Sequence, residues 1–180
     1  RLSIQYSYPE WIVREWVSRF GEAQAEALLS HPVSRLEVRS QYPFTREELQ
    51  KALPVASEGN HLDENSLVLA NGFDLASNPL FLEGKFTVMG ESAMLACRAL
   101  GDMHGKSVLD ACSAPGGKSA ALAERMQNQG QIVAADTDAA RVALIAPGAA
   151  RLGLTIIEPV IVRSDSSDVA AGPFDRILLD

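Results

Sequence analysis

The sequence is poor in cysteine, in aromatic residues and in long apolar runs. Two of its 180 residues are cysteines and 6% are aromatic, and two cysteines are too few for the disulfide framework of a small secreted domain. No run approaches the roughly 18–20 apolar residues that span a bilayer, and the first residues lack the pattern of a signal peptide. We therefore expect a cytoplasmic protein that does not associate with membranes.

An excess of basic residues is also missing. The net charge is −7; residues 1–90 carry 8 basic and 12 acidic side chains, and residues 91–180 carry 8 and 11. Because phosphate contacts leave a basic footprint, this balance argues against strong RNA binding by these 180 residues alone. The cysteines and the three histidines show no metal-ligand spacing, so we expect no metal. Nothing in the sequence indicates an oligomeric state.

What is present is an ordinary globular composition, 47% hydrophobic and 22% charged, able to bury a sizeable core. The length exceeds one small domain, and the chain begins without Met and ends on an apolar stretch at Asp180. We therefore interpret these residues as one unit and part of another, cut from a longer protein.

Residues 1–90 have the pattern of a small α+β unit. Apolar residues recur at helical spacing between Pro9 and Gly21, and Thr45-Arg46-Glu47-Glu48 has the form of a capping box. Short apolar strands are predicted at residues 36–39 and 67–69. Because residues 71–90 are rich in Gly, Asn and Pro, they are predicted to form a linker.

Residues 91–180 alternate between helix and strand, which predicts an α/β fold with a parallel sheet. The predicted strands are 107–110, 131–136, 159–163 and 174–180. Helices are predicted at 91–100, 118–127 and 139–146, and Pro147-Gly148 is expected to interrupt the last of them.

The loop between the first of these strands and the next helix carries most of the functional argument. It reads Asp110-Ala111-Cys112-Ser113-Ala114-Pro115-Gly116-Gly117-Lys118-Ser119. Doubly wound folds bind nucleotides at this position, where glycines let the backbone approach and free helix amides face the ligand. Pro-Gly-Gly is also a common turn. Gly117-Lys118-Ser119 matches the end of a P-loop, but a cysteine stands where its first glycine must be. With the P-loop set aside, the remaining candidate ligand is an adenosine compound without a phosphate chain.

Acidic residues end each predicted strand. Asp136 is placed to accept hydrogen bonds from both ribose hydroxyls, Asp165 could reach the exocyclic amine of an adenine, and Asp180 falls at the edge where such sheets place their chemistry. Asp138 is better explained as a helix cap.

With these residues in hand, the sequence closely resembles the Sun/RsmB (Fmu) family of RNA 5-methylcytosine methyltransferases. Residues 108–119 are close to the family's V-L-D-x-C-A-A-P-G-G-K-T, and residues 133–138, Arg141, Asp165 and residues 174–180 also match. The resemblance implies a Rossmann-like class I methyltransferase sheet, incomplete here, over residues 91–180, preceded by an RNA-positioning subdomain at residues 1–90.

The resemblance also implies a cofactor and its ligands. S-adenosylmethionine would lie with its methionine side on Cys112, Ser113, Ala114, Pro115, Gly116, Gly117 and Lys118. Its ribose would lie on Asp136, its adenine near Asp165 and its methyl-donor region beside Asp180. One departure concerns residues 89–91, Met-Gly-Glu, where relatives carry Gln-Asp/Glu-Glu.

In this family a cysteine thiolate attacks carbon 6 of cytosine, and carbon 5 then takes the methyl group. Both family cysteines lie beyond Asp180, so the resemblance implies no catalytic residue in this chain, and we expect the chain alone to be inactive. Cys112 matches a non-catalytic position, and Cys97 is expected to be buried. Ribosomal RNA is the expected substrate. A methyltransferase acting on another substrate and a non-catalytic nucleotide-binding module are the alternatives.

Overall fold

The structure is a computed structural model that describes residues 1–30, 36–59, 63–70, 73–163 and 172–180. The chain forms two compact units, Arg1–Arg35 and Leu36–Asp180. Across the described ranges, no helix is long and apolar enough to cross a membrane. The domain boundary predicted at residue 90 stays a prediction. Residue 90 lies within the second unit, between the last strand of an antiparallel sheet and the first strand of a parallel sheet.

The first unit is helical. Its core consists of Leu2, Val13 and Leu29, one from each helix, and the Tyr8 and Trp16 rings pack with centroids 5.8 Å apart. As predicted, the second helix begins after Pro9 and ends before Gly21. The helices are α1 (Leu2–Tyr6), α2 (Glu10–Phe20) and α3 (Glu22–Ser30).

The second unit begins with an antiparallel sheet of four strands. Its order is β2-β3-β1-β4, and Leu36 pairs with Leu69 at one end of the central ladder. The predicted capping box is confirmed, since Thr45 Oγ1 accepts from the Glu48 amide and Glu48 accepts from the Thr45 amide. The elements are β1 (Leu36–Ser40), α4 (Arg46–Ala52), β2 (Ser57–Gly59), β3 (Ser66–Leu69), α5 (Pro79–Leu82) and β4 (Phe86–Val88).

The predicted linker at residues 71–90 is wrong for its described part, 73–90. Asn78 caps α5, and β4 pairs with β1. Phe86 is fully buried and packs against the rings of Phe73 and Phe81. Burying this phenylalanine outweighs the local turn composition, which had suggested only a connection.

The parallel sheet is confirmed, with four strands in the order β7-β6-β5-β8. Val108 and Ile132 face a core built with residues of α6, α7 and α9, whereas Leu109 and Val133 point to the other side. The elements are α6 (Glu91–Ala99), β5 (Ser107–Asp110), α7 (Gly117–Arg125), β6 (Gln131–Asp136), α8 (Ala139–Val142), α9 (Ile145–Arg151), β7 (Ile157–Ile161) and β8 (Arg176–Leu178).

The predicted helix at 139–146 is two helices, and Pro147 does not interrupt the second. The break falls at Ala143 and Leu144, so Pro147 is the third residue of α9. Proline is tolerated in the first turn of a helix because amides there have no partner in the preceding turn.

Candidate functional site

The loop from Ala111 to Gly116 connects the central strand β5 to the first turn of α7. Gly116, at the N-cap, has φ +102°, and a Cβ there would lie 3.2 Å from Ile145 Cγ2. Gly117 has no heavy atom within 4 Å of such a position. The turn therefore requires a glycine at 116, and at 117 it leaves open space beside the backbone.

The first turn of α7 offers uncapped amides. Gly116 has no side chain to cap them, and the turn contains no acidic residue. Because the first amides of a helix lack intrahelical partners and lie at its positive end, they suit an anionic or polar ligand group. Open space and uncapped donors together fit the carboxylate end of an amino acid-bearing cofactor.

Asp136 ends β6 beside this loop and is half-buried. Its carboxylate accepts from the Ala114 amide at 3.0 Å and from the Asp138 amide at 3.2 Å. These bonds, chiefly the one from Asp138, lower the pKa of Asp136. The residue is thus held as an anion, and an ionised carboxylate is a strong acceptor for ligand hydroxyls.

Lys118 and Asp180 lie together, as the sequence prediction placed them at one edge. Lys118 Nζ is 2.5 Å from Asp180 Oδ2, and this ion pair joins the start of α7 to the residues after β8. Asp165 lies outside the described residues.

Two further contacts, made by residues that the sequence analysis named without assigning them a role, were not predicted. Asp110, 2% exposed, accepts a 2.7 Å hydrogen bond from Ser119 Oγ, which is fully buried. Arg141 of α8 donates to the Ala114 carbonyl. The nine-residue spacing of Asp110 and Ser119 across the glycine turn could have suggested the first pair, since the two flank the turn.

Asp138 caps α8, accepting from the amides of Ala140 and Arg141 at 2.9 and 3.1 Å. The interpretation of Asp138 as a helix cap is confirmed.

The departure at residues 89–91 is compensated from the other sheet. Gly90, at the N-cap of α6, supplies no side-chain hydrogen bond. Glu37 Oε2, from β1, instead accepts from the Glu91 amide at 2.5 Å. A carboxylate at this helix start is thus provided by a residue 54 positions earlier in the chain.

The two cysteines differ in environment. Cys97 is fully buried, as predicted, and burial raises the pKa of its thiol to about 11. At neutral pH it is a thiol and not the thiolate that nucleophilic catalysis needs. Cys112 is exposed within the loop.

Comparison with known proteins shows a likeness to one methyltransferase family. The model of the 16S rRNA methyltransferase RsmB/F family matches residues 97–180. A Bacillus subtilis protein named "Probable ribosomal RNA small subunit methyltransferase B" is 39% identical over all of this chain. Over residues 97–180 the chain is similar to the RsmB/F methyltransferase family. The human 28S rRNA (cytosine(4447)-C(5))-methyltransferase is 31% identical over 99% of the chain.

The RsmB/F relatives are much longer than this chain, which spans 42% of the Bacillus protein and 23% of the human one. Among solved structures, a methyltransferase homolog from Pyrococcus horikoshii superimposes with a TM-score of 0.72 at 25% identity, over 91% of this chain and 55% of that one. The likeness supports the predicted Rossmann-like methyltransferase architecture.

Proposed function

We propose that the protein transfers a methyl group from S-adenosylmethionine to carbon 5 of a cytosine in RNA, with ribosomal RNA as the substrate. The observation that carries the proposal is the open, uncapped first turn of α7 beside the anionic Asp136. Similarity to this family suggests the reaction class, because relatives at 31–39% identity are named for ribosomal RNA methylation.

Each residue of the site has a role in this proposal. The loop from Cys112 to Lys118 holds the methionine part, with the amides of the first turn of α7 on its carboxylate. Asp136 binds the ribose hydroxyls and Asp165 the adenine. Asp180, paired with Lys118 at 2.5 Å, borders the methyl-donor region.

The cofactor supplies an activated methyl group. This chain would bind and orient it, and we assign the thiolate that would activate carbon 5 to neither cysteine of this chain. Cys97 is excluded as that nucleophile because it is buried and its pKa is raised to about 11. Cys112 belongs to the binding loop.

Residues 1–90 are proposed to position the RNA. With 8 basic and 12 acidic side chains they offer few phosphate contacts, so we expect them to contribute little of the affinity for RNA.

Calorimetric titration of S-adenosylmethionine into the full-length protein tests the cofactor assignment. We expect saturable binding by the wild type and none by Asp136→Ala. Asp74→Ala is the matched control, because Asp74 is an exposed carboxylate whose pKa hydrogen bonds also lower, and it lies outside the site. No binding by the folded wild type, or equal binding by Asp136→Ala, would contradict the proposal, and heat from ATP would favour a P-loop.

The reaction is tested by transfer of a labelled methyl group to a ribosomal RNA transcript, followed by mapping of the modified base. Label at carbon 5 of cytosine is expected. Label on protein, or on another base, would overturn the substrate assignment.

A further inference from the structure

Two buried residues, Asp110 and Ser119, flank the loop from Cys112 to Lys118, which we call the cofactor loop. The proposed function assigns no role to this pair. Asp110 is the last residue of β5 and is 2% exposed; Ser119 is the third residue of α7 and is fully buried. Their 2.7 Å hydrogen bond joins the end of the central strand to the first turn of the helix. It spans the Gly116-Gly117 turn.

This bond holds the turn from the α7 side, whereas the side chains of Asp136 and Arg141 contact the loop earlier, at Ala114. The N-cap is a glycine without a capping side chain, and Gly117 is surrounded by open space. Glycine leaves the backbone more freedom than any other residue. An anchor on both sides of the glycines restricts that freedom, and so orients the amides at which the ligand binds.

Asp110 also acts through its charge. Burial raises its pKa most, the nearby Asp180 and Asp136 raise it further, and Ser119 and Lys118 lower it. The charge of Asp110 in turn raises the pKa of the Cys97 thiol on α6. Asp110 therefore adds a second negative charge to the surroundings of Lys118 and Asp180.

We propose that Asp110 is a positioning residue of the cofactor loop: through Ser119 it fixes the first turn of α7, and its negative charge favours the cationic cofactor. This inference rests on the proposed function. Asp110 itself is too buried to be a ligand, so it acts through the backbone that it holds and through its field.

Three variants test the anchor by calorimetric affinity for S-adenosylmethionine, with thermal melting as the check on folding. Ser119→Ala removes the donor and is expected to weaken binding about tenfold, because a buried carboxylate loses its partner. Ser119→Thr keeps the hydroxyl and should bind within about twofold of the wild type. Ser77→Ala, which removes a 2.6 Å bond to Asp74 on an exposed turn, should change nothing.

The pH profile tests the charge. The raised pKa of Asp110 places its protonation above that of an ordinary aspartate, whereas the lowered pKa of Asp136 places that titration below it. Wild-type affinity should therefore begin to fall at a pH above that at which an ordinary aspartate takes up its proton, and Asp110→Asn should lack this part of the profile. If Asp110→Asn fails to fold, the serine variants still decide.

The outcomes separate the two proposals. Wild-type binding with Ser119→Ala and Asp110→Asn unchanged in affinity and pH profile would overturn the positioning role alone. Equal weakening by Ser119→Ala and Ser119→Thr would also overturn it, because the hydroxyl would then not matter. No binding by a folded wild type would refute the proposed function and this inference with it.

Discussion

The two sheets of the second unit have four strands each among the described residues. The carboxylates of the candidate site lie at one edge of the parallel sheet and not on the antiparallel one. In the parallel sheet every strand runs the same way, so Asp110, Asp136 and Asp180 meet at one edge beside the α7 loop. In the antiparallel sheet neighbouring strands end at opposite edges. Strand direction, more than composition, decides which sheet carries the candidate site.

Charged side chains of the antiparallel sheet and its loops instead contact the helices that pack on the parallel sheet. Arg39 of β1, 1% exposed, forms an ion pair with Glu124 of α7, and Glu37 of the same strand caps α6. Asp63 pairs with Arg98 of α6 at 3.1 Å. One sheet presents the site, and the other supports the helices around it.

The largest expected effect comes from breaking the support at Arg39. Glu124→Leu removes its ion-pair partner and the acceptor of the Tyr42 amide at 2.8 Å. We expect a loss of about 3–5 kcal/mol in the free energy of unfolding, because a buried guanidinium loses a counter-charge. Denaturant unfolding measures it.

The matched control is the double variant Arg39→Met with Glu124→Leu. An apolar replacement of both partners should recover most of the loss. If the double variant is no more stable than the single one, the ion pair is not what joins β1 to α7.

A smaller effect is expected at Gly84, where the chain approaches α9. A Cβ there would lie 2.0 Å from the Arg151 carbonyl oxygen, and φ is +74°. Gly101 has nearly the same φ, +75°, but open space around it. Gly101→Ala should cost about 1 kcal/mol of backbone strain, and Gly84→Ala about 2–3 kcal/mol or more. Equal melting temperatures for the two variants would contradict the close approach.

Next in size is the cap that Glu37 places on α6. Glu37→Ala should destabilise the protein by about 1 kcal/mol through loss of the helix cap. Gly90→Asp, which places a carboxylate at the N-cap itself, should restore stability in that background. Gly90 has φ −73°, which any residue adopts. In the wild type the same change should not help, because two carboxylates would then meet. Thermal melting of the four proteins decides.

The smallest expected effect is a pH dependence from Asp136. Because its pKa is lowered on folding, its ionised form adds stability above the unfolded pKa of about 3.9, and that stability is lost as the pH falls through the folded pKa. Asp136→Asn should therefore reduce the difference between melting temperatures at neutral and strongly acidic pH. An unchanged difference would mean that the amides of Ala114 and Asp138 do not hold the anion.

Several features could be predicted from the sequence because their causes are local. Helical spacing between Pro9 and Gly21 indicated α2, the capping box at Thr45 indicated the start of α4, and alternating helix and strand indicated the parallel sheet. A parallel sheet brings its strand ends together, so the pattern of strands and helices was enough to place Lys118 and Asp180 at the same edge. The Asp165 assignment stays a prediction.

Other features depended on partners far apart in the chain. Composition assigned residues 71–90 to a linker, whereas burial of Phe86 made a strand of its described part. The Glu37 cap on α6 joins residues 54 positions apart, and the contact of Arg39 with Glu124 joins two elements whose local patterns say nothing of each other. The loop, its flanking elements and the edge at which Asp110, Asp136 and Asp180 meet could be inferred from the sequence, because they follow from periodicity and strand direction. The charged side chains that support this edge could not be inferred, because pairing of buried charges requires surfaces that exist only after the chain has folded.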